Sequence, residues 1–141
     1  METLLWLESL RSPLLTGFFT AVTFLGSEDF LLLVLPVVYW CVNRTLGLRL
    51  VAVLLGSAFL NDVLKEWVAE ARPGPPAHPL ATDTAPGKAW PSGHAQDAAA
   101  LWGTLAGQLR RGWAWAAALI VIALIGVSRL YLAVHWPIDV L

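Results

Sequence analysis

The sequence predicts an all-α fold, a polytopic transmembrane helical bundle with five spans plus the start of a sixth. Three observations lead there. Of 141 residues, 57% are apolar and 13% charged, where ordinary soluble domains run at roughly 45–50% and 25%. The mean hydropathy is +0.66, which suits a chain whose main solvent is lipid. Five apolar stretches lie between charges and helix breakers, and one of them, Phe30 to Val42, offers almost no polar face. A helix of a soluble bundle needs one.

In chain order the stretches are Pro13 to Leu25, Phe30 to Val42, Leu50 to Leu60, Ala98 to Leu109, and Trp113 to Val127. A span wants about 20 residues, so each must extend through neighbouring polar residues, as Leu46 to Leu64 and Trp113 to Val134 do. The start, Met1-Glu2-Thr3, lacks the basic residues and cleavage site of a secretory signal, so the first apolar segment is expected to stay as an anchor. Trp40, Trp67, Trp90, Trp113, Trp115 and Trp136 fall near predicted helix ends, where amphipathic rings favour the membrane interface; Trp102 is the exception. Residues 73–91 hold six of the nine prolines and read as an exposed loop. The whole chain, 1–141, reads as one membrane domain that includes this loop. Cys41 has no partner for a disulfide or a thiolate metal site, and a formal charge of -1 without a basic run leaves nothing for nucleic acid.

Helix parity puts Arg44, Arg49, Arg110 and Arg111 on one side of the membrane and the proline-rich loop on the other. Retention of positive charge inside makes the first side cytoplasmic, with the N-terminus and Arg11 there too, and the loop extracytoplasmic. Lys65, Arg72, Lys88 and Arg129 then lie outside, against that rule, and call for another explanation.

Lys65 and Arg72 are two helical turns apart at the end of the third span, so two cations face one way, although either can also snorkel to headgroups. Pro91-Ser92-Gly93-His94 opens the fourth span. Ser92 stands where an N-cap would and Gly93 permits close backbone approach, and such a helix start binds anions. A capped helix with an interfacial histidine is the plainer alternative. His78, within the loop, fits no pattern. Ser128-Arg129, His135 and Asp139 follow the fifth span. With Pro137 suited to a first helical turn, a new helix is expected near Trp136, and Asp139 can orient the His135 imidazole or merely cap that helix. Parity brings all three groups to one face, a set suited to a phosphate carrying about two negative charges.

Together these segments, Lys65-x6-Arg72-Pro73, Pro91-Ser92-Gly93-His94 and Ser128-Arg129-x5-His135-x3-Asp139, resemble the type-2 phosphatidic-acid phosphatase family, which includes lipid phosphate phosphatases and is related to acid phosphatases and vanadium haloperoxidases. The three motifs occur in order without substitution over about half the chain. Phe24 to Asn43 more weakly resembles the second-span region of bacterial members, which implies a bacterial-type plasma (inner) membrane. The resemblance implies hydrolysis of a lipid phosphomonoester or pyrophosphate through a phosphohistidine on His135, oriented by Asp139, with His94 protonating the leaving alkoxide. Lys65, Arg72, Ser92, the Gly93 amide and Arg129 would hold the phosphoryl oxygens, with no metal and no other cofactor. The family usually has six spans and this chain stops two residues after Asp139. The resemblance therefore implies a fragment or a shortened member, with Asp139 at a frayed end. Which lipid is the substrate, and the oligomeric state, are not legible.

Other readings separate on chemistry. His94 with Asp97, and His135 with Asp139, could offer a metal nitrogen and oxygen ligands, but three cations would repel a divalent ion. An inactive phospholipid-binding or transport protein could use the same pocket, yet would need neither histidine. A serine hydrolase on Ser92 lacks the Gly-x-Ser-x-Gly elbow. Chemistry that starts from neutral His135 and protonated His94 is expected to give a bell-shaped pH profile. A rate that rises monotonically from about pH 5 to 9 contradicts the pairing of roles.

Overall fold

The computed structural model describes residues 2–72 and 88–141. The proline-rich loop lies outside the described residues from Pro73 to Gly87, and His78 with it. Among the described residues the chain forms α1 (Glu2–Ser9), α2 (Pro13–Phe24), α3 (Glu28–Val37), α4 (Arg44–Val68), α5 (Gly93–Leu109) and α6 (Gly112–Tyr131). A π-helical turn, Val38–Val42, continues α3, and a 3-10 turn, Pro137–Val140, ends the chain.

Local chemistry marks most of the boundaries. Ser12, Ser27 and Asn43 cap α2, α3 and α4, their side chains accepting from the N–H groups of Leu15, Phe30 and Leu46. Pro13 takes the first position of α2, where its missing N–H costs nothing, and Glu28 and Asp29 complement the positive end of α3. Pro36 supplies no N–H inside α3, and the helix beyond it widens until Asn43 N–H reaches Val38 O at 2.8 Å. Ala69 and Arg110 stop α4 and α5 in left-handed conformation, each donating its N–H to the carbonyl four residues back.

Helices α4 and α6 are long and apolar enough to cross a membrane, and α2 with α3 forms a third such element when the bent pair counts as one span. The 17 residues of α5 give about 25 Å at 1.5 Å per residue; this helix packs between α4 and α6. Large apolar side chains face outward, among them Leu55, Phe59, Leu119 and Ile120, as a lipid environment allows. Trp40, Trp67, Trp113 and Trp115 are exposed at helix ends, whereas Trp102 stacks on Phe30 with ring centroids 6.2 Å apart. The amphipathic α1, which periodicity did not single out, buries Leu4 and Leu7.

The N-terminal segment departs from the parity argument. Between α2 and α3 the chain bends by 50° instead of reversing, so the first two apolar stretches follow one bent path rather than forming an antiparallel pair. Arg11 consequently lies at the site end of the bundle, where its Nη2 donates to Tyr131 O at 3.0 Å. The Tyr131 hydroxyl also accepts from Ser12 N at 3.3 Å and pairs with Thr16 Oγ1 at 3.1 Å. The segment that carries Arg11 therefore packs at the site end of the bundle rather than at the far end, where helix parity puts it.

Close approach decides the packing. Leu31, Val38, Leu46, Leu50, Leu54 and Leu101 join α3, α4 and α5 in one core, and Ala106, Ala114 and Ala118 let α5 and α6 meet along small residues. A Cβ on Gly47 would lie 2.7 Å from both Cα and Cβ of Tyr39, where no rotamer change relieves it. Gly47→Ala is expected to destabilise the fold by about 1–3 kcal/mol. Gly56→Ala, with nothing within 4 Å, serves as the neutral control in thermal denaturation in detergent.

Candidate active site

Backbone carbonyls tie the three motif segments to one another. Asn61 Nδ2 on α4 donates to Pro91 O at 3.3 Å, and Ser92 N–H donates to Asp139 O at 2.8 Å. The ring closes where Trp136 Nε1 donates to Ala71 O at 3.0 Å. The stem of the α4–α5 connection is fastened as well: Ala89 N–H meets Glu70 O at 2.7 Å, and Lys88 pairs with Glu66 at 2.8 Å. Lys88, grouped by sequence with the outer bases, is therefore spent on an ion pair at the stem.

Beyond α6, Ala133 takes a positive φ of 56° and Val134 N–H returns to Arg129 O at 3.2 Å. This reversal carries His135 back beside Arg129. The resulting cavity of about 170 Å³ is lined by Lys65, Arg72, Gly93, His94, Arg129 and His135, together with Gly26, Glu28 and Asp97. Six of the eight residues singled out by sequence meet here.

The other two stand close by. Asp139 lies behind His135, its Oδ2 3.2 Å from His135 Nδ1, and the same oxygen accepts the Trp136 N–H at 2.7 Å. Capping and orienting, which the sequence left as alternatives, are both done by this one carboxylate. Nor is its end of the chain frayed: Asp139 is 3% exposed, held through its carbonyl by Ser92 and through its side chain by the 3-10 turn. Ser92 occupies the N-cap position of α5, but its side chain makes no capping bond. Its buried hydroxyl has no partner and borders the neighbouring hollow between α5 and α6. Ser92 thus acts through its backbone in this structure, because its amide is drawn to Asp139 O.

Burial first, then the charges of Arg129, Arg72 and Lys65 and the nearby His94, push the His135 imidazole down from 6.5 to about 3. Burial also raises Asp139, against the Trp136 N–H and Arg72, which lower it. The two form a hydrogen bond of a neutral imidazole rather than an ion pair. With Nδ1 directed at the carboxylate, Nε2 keeps its lone pair. Such an arrangement can present a nitrogen nucleophile beside an anion held by three cations.

Sequence reasoning missed several supports. Arg129, 5% exposed, is fixed by Nη1 donating to Thr23 Oγ1 at 3.0 Å. Gly26 lets the α2–α3 turn press onto the fourth span, since a Cβ there would meet His94 O at 2.9 Å. Asn61, buried one turn before Lys65, bonds Gln96 Oε1 at 2.9 Å, and Gln96 Nε2 in turn donates to Ser57 O at 2.7 Å. A lone amide in an apolar span was the available signal for Asn61; nothing local in the sequence points to Gly26 or Thr23. Among the described residues no three His, Cys, Asp or Glu side chains gather as a metal set.

The chain is similar in sequence and fold to membrane phosphatases. The chain is 30% identical over 145 residues to phosphatidylglycerophosphatase B of Bacillus subtilis (strain 168), covering 94% of this chain and 70% of that one. Its fold superposes on a transmembrane PAP2-type phosphatidylglycerolphosphate phosphatase from Bacillus subtilis with a TM-score of 0.87 at 27% identity, over 99% of this chain and 74% of that one. Aquifex aeolicus LpxE superposes with a TM-score of 0.85 at 25% identity, over 99% and 84%. The sequence profile of the PAP2 superfamily matches residues 46–141, the whole stretch from the start of α4 through all three motifs: the chain belongs to the PAP2 superfamily of membrane lipid phosphatases.

Proposed function

We propose that the chain hydrolyses a lipid phosphomonoester or pyrophosphate by a metal-independent phosphohistidine route. The observation that carries this reading is His135, bonded at Nδ1 to Asp139 and opening onto a cavity with Lys65, Arg72 and Arg129. The Nε2 lone pair attacks phosphorus as the bond to the lipid oxygen breaks, and His94 donates its proton to that oxygen. Water then attacks the phosphohistidine, His94 takes the water's proton, and the P–N bond breaks to release phosphate. Lys65, Arg72, Arg129 and the Gly93 amide at the start of α5 stabilise the charge on the transferring phosphoryl oxygens. Ser92 places Gly93 through the hydrogen bond that its backbone N–H donates to Asp139 O, and its unpartnered hydroxyl is a further donor once the side chain turns.

Orientation follows from the other end of the bundle. Arg44, Arg49, Arg110 and Arg111 gather there, with Arg49 Nη1 donating to Gln108 Oε1 at 3.3 Å. Positive charge retained inside makes that end cytoplasmic and gives the site access to the extracytoplasmic leaflet.

Phosphate release from a mixed panel of lipid phosphates in detergent is expected to survive excess EDTA and to fall by about 10⁴-fold or more in His135→Ala. Release abolished by EDTA overturns the metal-free route, and an unaffected His135→Ala overturns the nucleophile.

The pH profile carries a second expectation. Because kcat/KM reports the free protein, its acid limb is expected well below 6.5, toward about 3, where burial and cations hold His135. Arg129 is one of those cations and disfavours the imidazolium, so Arg129→Gln is expected to raise the His135 value and move the limb to higher pH. The same variant is expected to lower the rate by about 10²–10³-fold. A limb that stays in place or moves down contradicts the electrostatic account.

A further inference from the structure

The cavity around His135 is not uniformly positive. Besides Lys65, Arg72 and Arg129, two carboxylates line it, Glu28 at the start of α3 and Asp97 near the start of α5. Both also line a neighbouring hollow between α3 and α4, and none of the three cations does. The acids therefore stand toward one wall of the cavity and the bases toward the other. Asp97 is fixed on its wall by Ser57 Oγ, which donates to its Oδ1 at 2.8 Å. Glu28 is placed by the Ser27 cap of α3.

Neither carboxylate takes part in the phosphohistidine route, and an acid beside a phosphate site opposes the binding of an anion. Helical spacing indicates which part of the substrate they meet. His94 and Asp97 are three residues apart on α5, neighbours on one face of the helix. In a phosphoryl transfer the attacking and leaving atoms lie roughly in line through phosphorus. With His135 attacking and His94 protonating the leaving oxygen, the leaving group lies on the side of His94 and Asp97. A lipid phosphomonoester puts a neutral alcohol there. A lipid pyrophosphate puts a second charged phosphate there, against the carboxylates.

We propose that Asp97 and Glu28 are specificity-determining residues, which make the cavity select phosphomonoesters of neutral alcohols and reject pyrophosphates by charge repulsion at the leaving group. The selection rests on the phosphatase reading for the place of the leaving group, and it is read out by binding as well as by turnover.

The probes share one alcohol. Farnesyl phosphate and farnesyl pyrophosphate serve for turnover in detergent at neutral pH, the second followed by the first phosphate released. The non-hydrolysable farnesyl phosphonate and farnesyl methylenediphosphonate serve for binding by calorimetry. The unsubstituted chain is expected to favour farnesyl phosphate in kcat/KM by about tenfold or more. Asp97→Asn keeps an oxygen for the Ser57 bond and loses the charge. It is expected to shift that ratio by about tenfold toward the pyrophosphate, and to tighten the diphosphonate relative to the phosphonate by a similar factor. Glu28→Gln is expected to act in the same direction, and it carries the test if Asp97→Asn lowers the thermal midpoint. Asp29→Asn, next in the chain and outside the cavity lining, is expected to move neither ratio.

A turnover ratio that shifts without a shift in relative binding puts the effect on the His94 proton and overturns the repulsion. Equal turnover of both substrates by the unsubstituted chain also overturns it, as do ratios unmoved in both variants; either result leaves the phosphatase reading standing. Relative binding that follows the two charges, with no phosphate released from either substrate, removes the phosphatase reading and leaves the selection against a second phosphate.

Discussion

A neutral imidazole buried among three cations is the constraint on which this end of the bundle depends. Ionised, His135 would be an added charge in a desolvated pocket already holding Lys65, Arg72 and Arg129, and both burial and those charges drive its proton off. Asp139 holds the imidazole by its Nδ1. Its position depends in turn on the bond from Ser92 N–H and on the local 3-10 turn. Three cations in one small cavity are suited to an anion, and the carboxylates of Glu28 and Asp97 line the same cavity.

The bilayer supplies the second constraint. With lipid outside, apolar side chains gain little by turning inward, and helix association depends on packing and on the few polar groups that find partners. The Ala106, Ala114 and Ala118 seam and the contact of Gly47 with Tyr39 meet the first need. The chain from Ser57 through Gln96 and Asn61 to Pro91 meets the second. The same polar chain fastens α4 to the loop before α5, so the helix pairing that stabilises the bundle also sets the distance between Lys65 and Gly93. A Cβ on Gly93 would lie 4.0 Å from Lys65 Nζ.

Positive-φ residues do the steering where helices must stop short of the site. Ala69 ends α4 one turn after Lys65, and Ala133 folds the chain back so that His135 returns beside Arg129. Neither position is glycine, so the left-handed conformation carries a modest cost that the surrounding bonds offset. The result is a small polar cavity at one end of an apolar bundle.

By itself the sequence determined the membrane class, the cores of α4, α5 and α6, and six of the residues that meet in the cavity. Those features are local: composition fixes the solvent, helical spacing joins Lys65 to Arg72, and His135 and Asp139 are close enough in the chain to meet in any tight turn. Three things required the tertiary structure. The path of the first two apolar stretches turned on a 50° bend, because length and hydropathy do not distinguish a bend from a reversal, and the segment that carries Arg11 packs at the site end of the bundle. The roles of Thr23, Gly26 and Asn61 arise from contacts with residues far along the chain, to which no local pattern points. Ser92 shows the same limit from the other side. Its place before α5 was legible, but the fate of its hydroxyl was decided by Asp139 O drawing its amide across the site, an interaction between segments that only the packed bundle brings together.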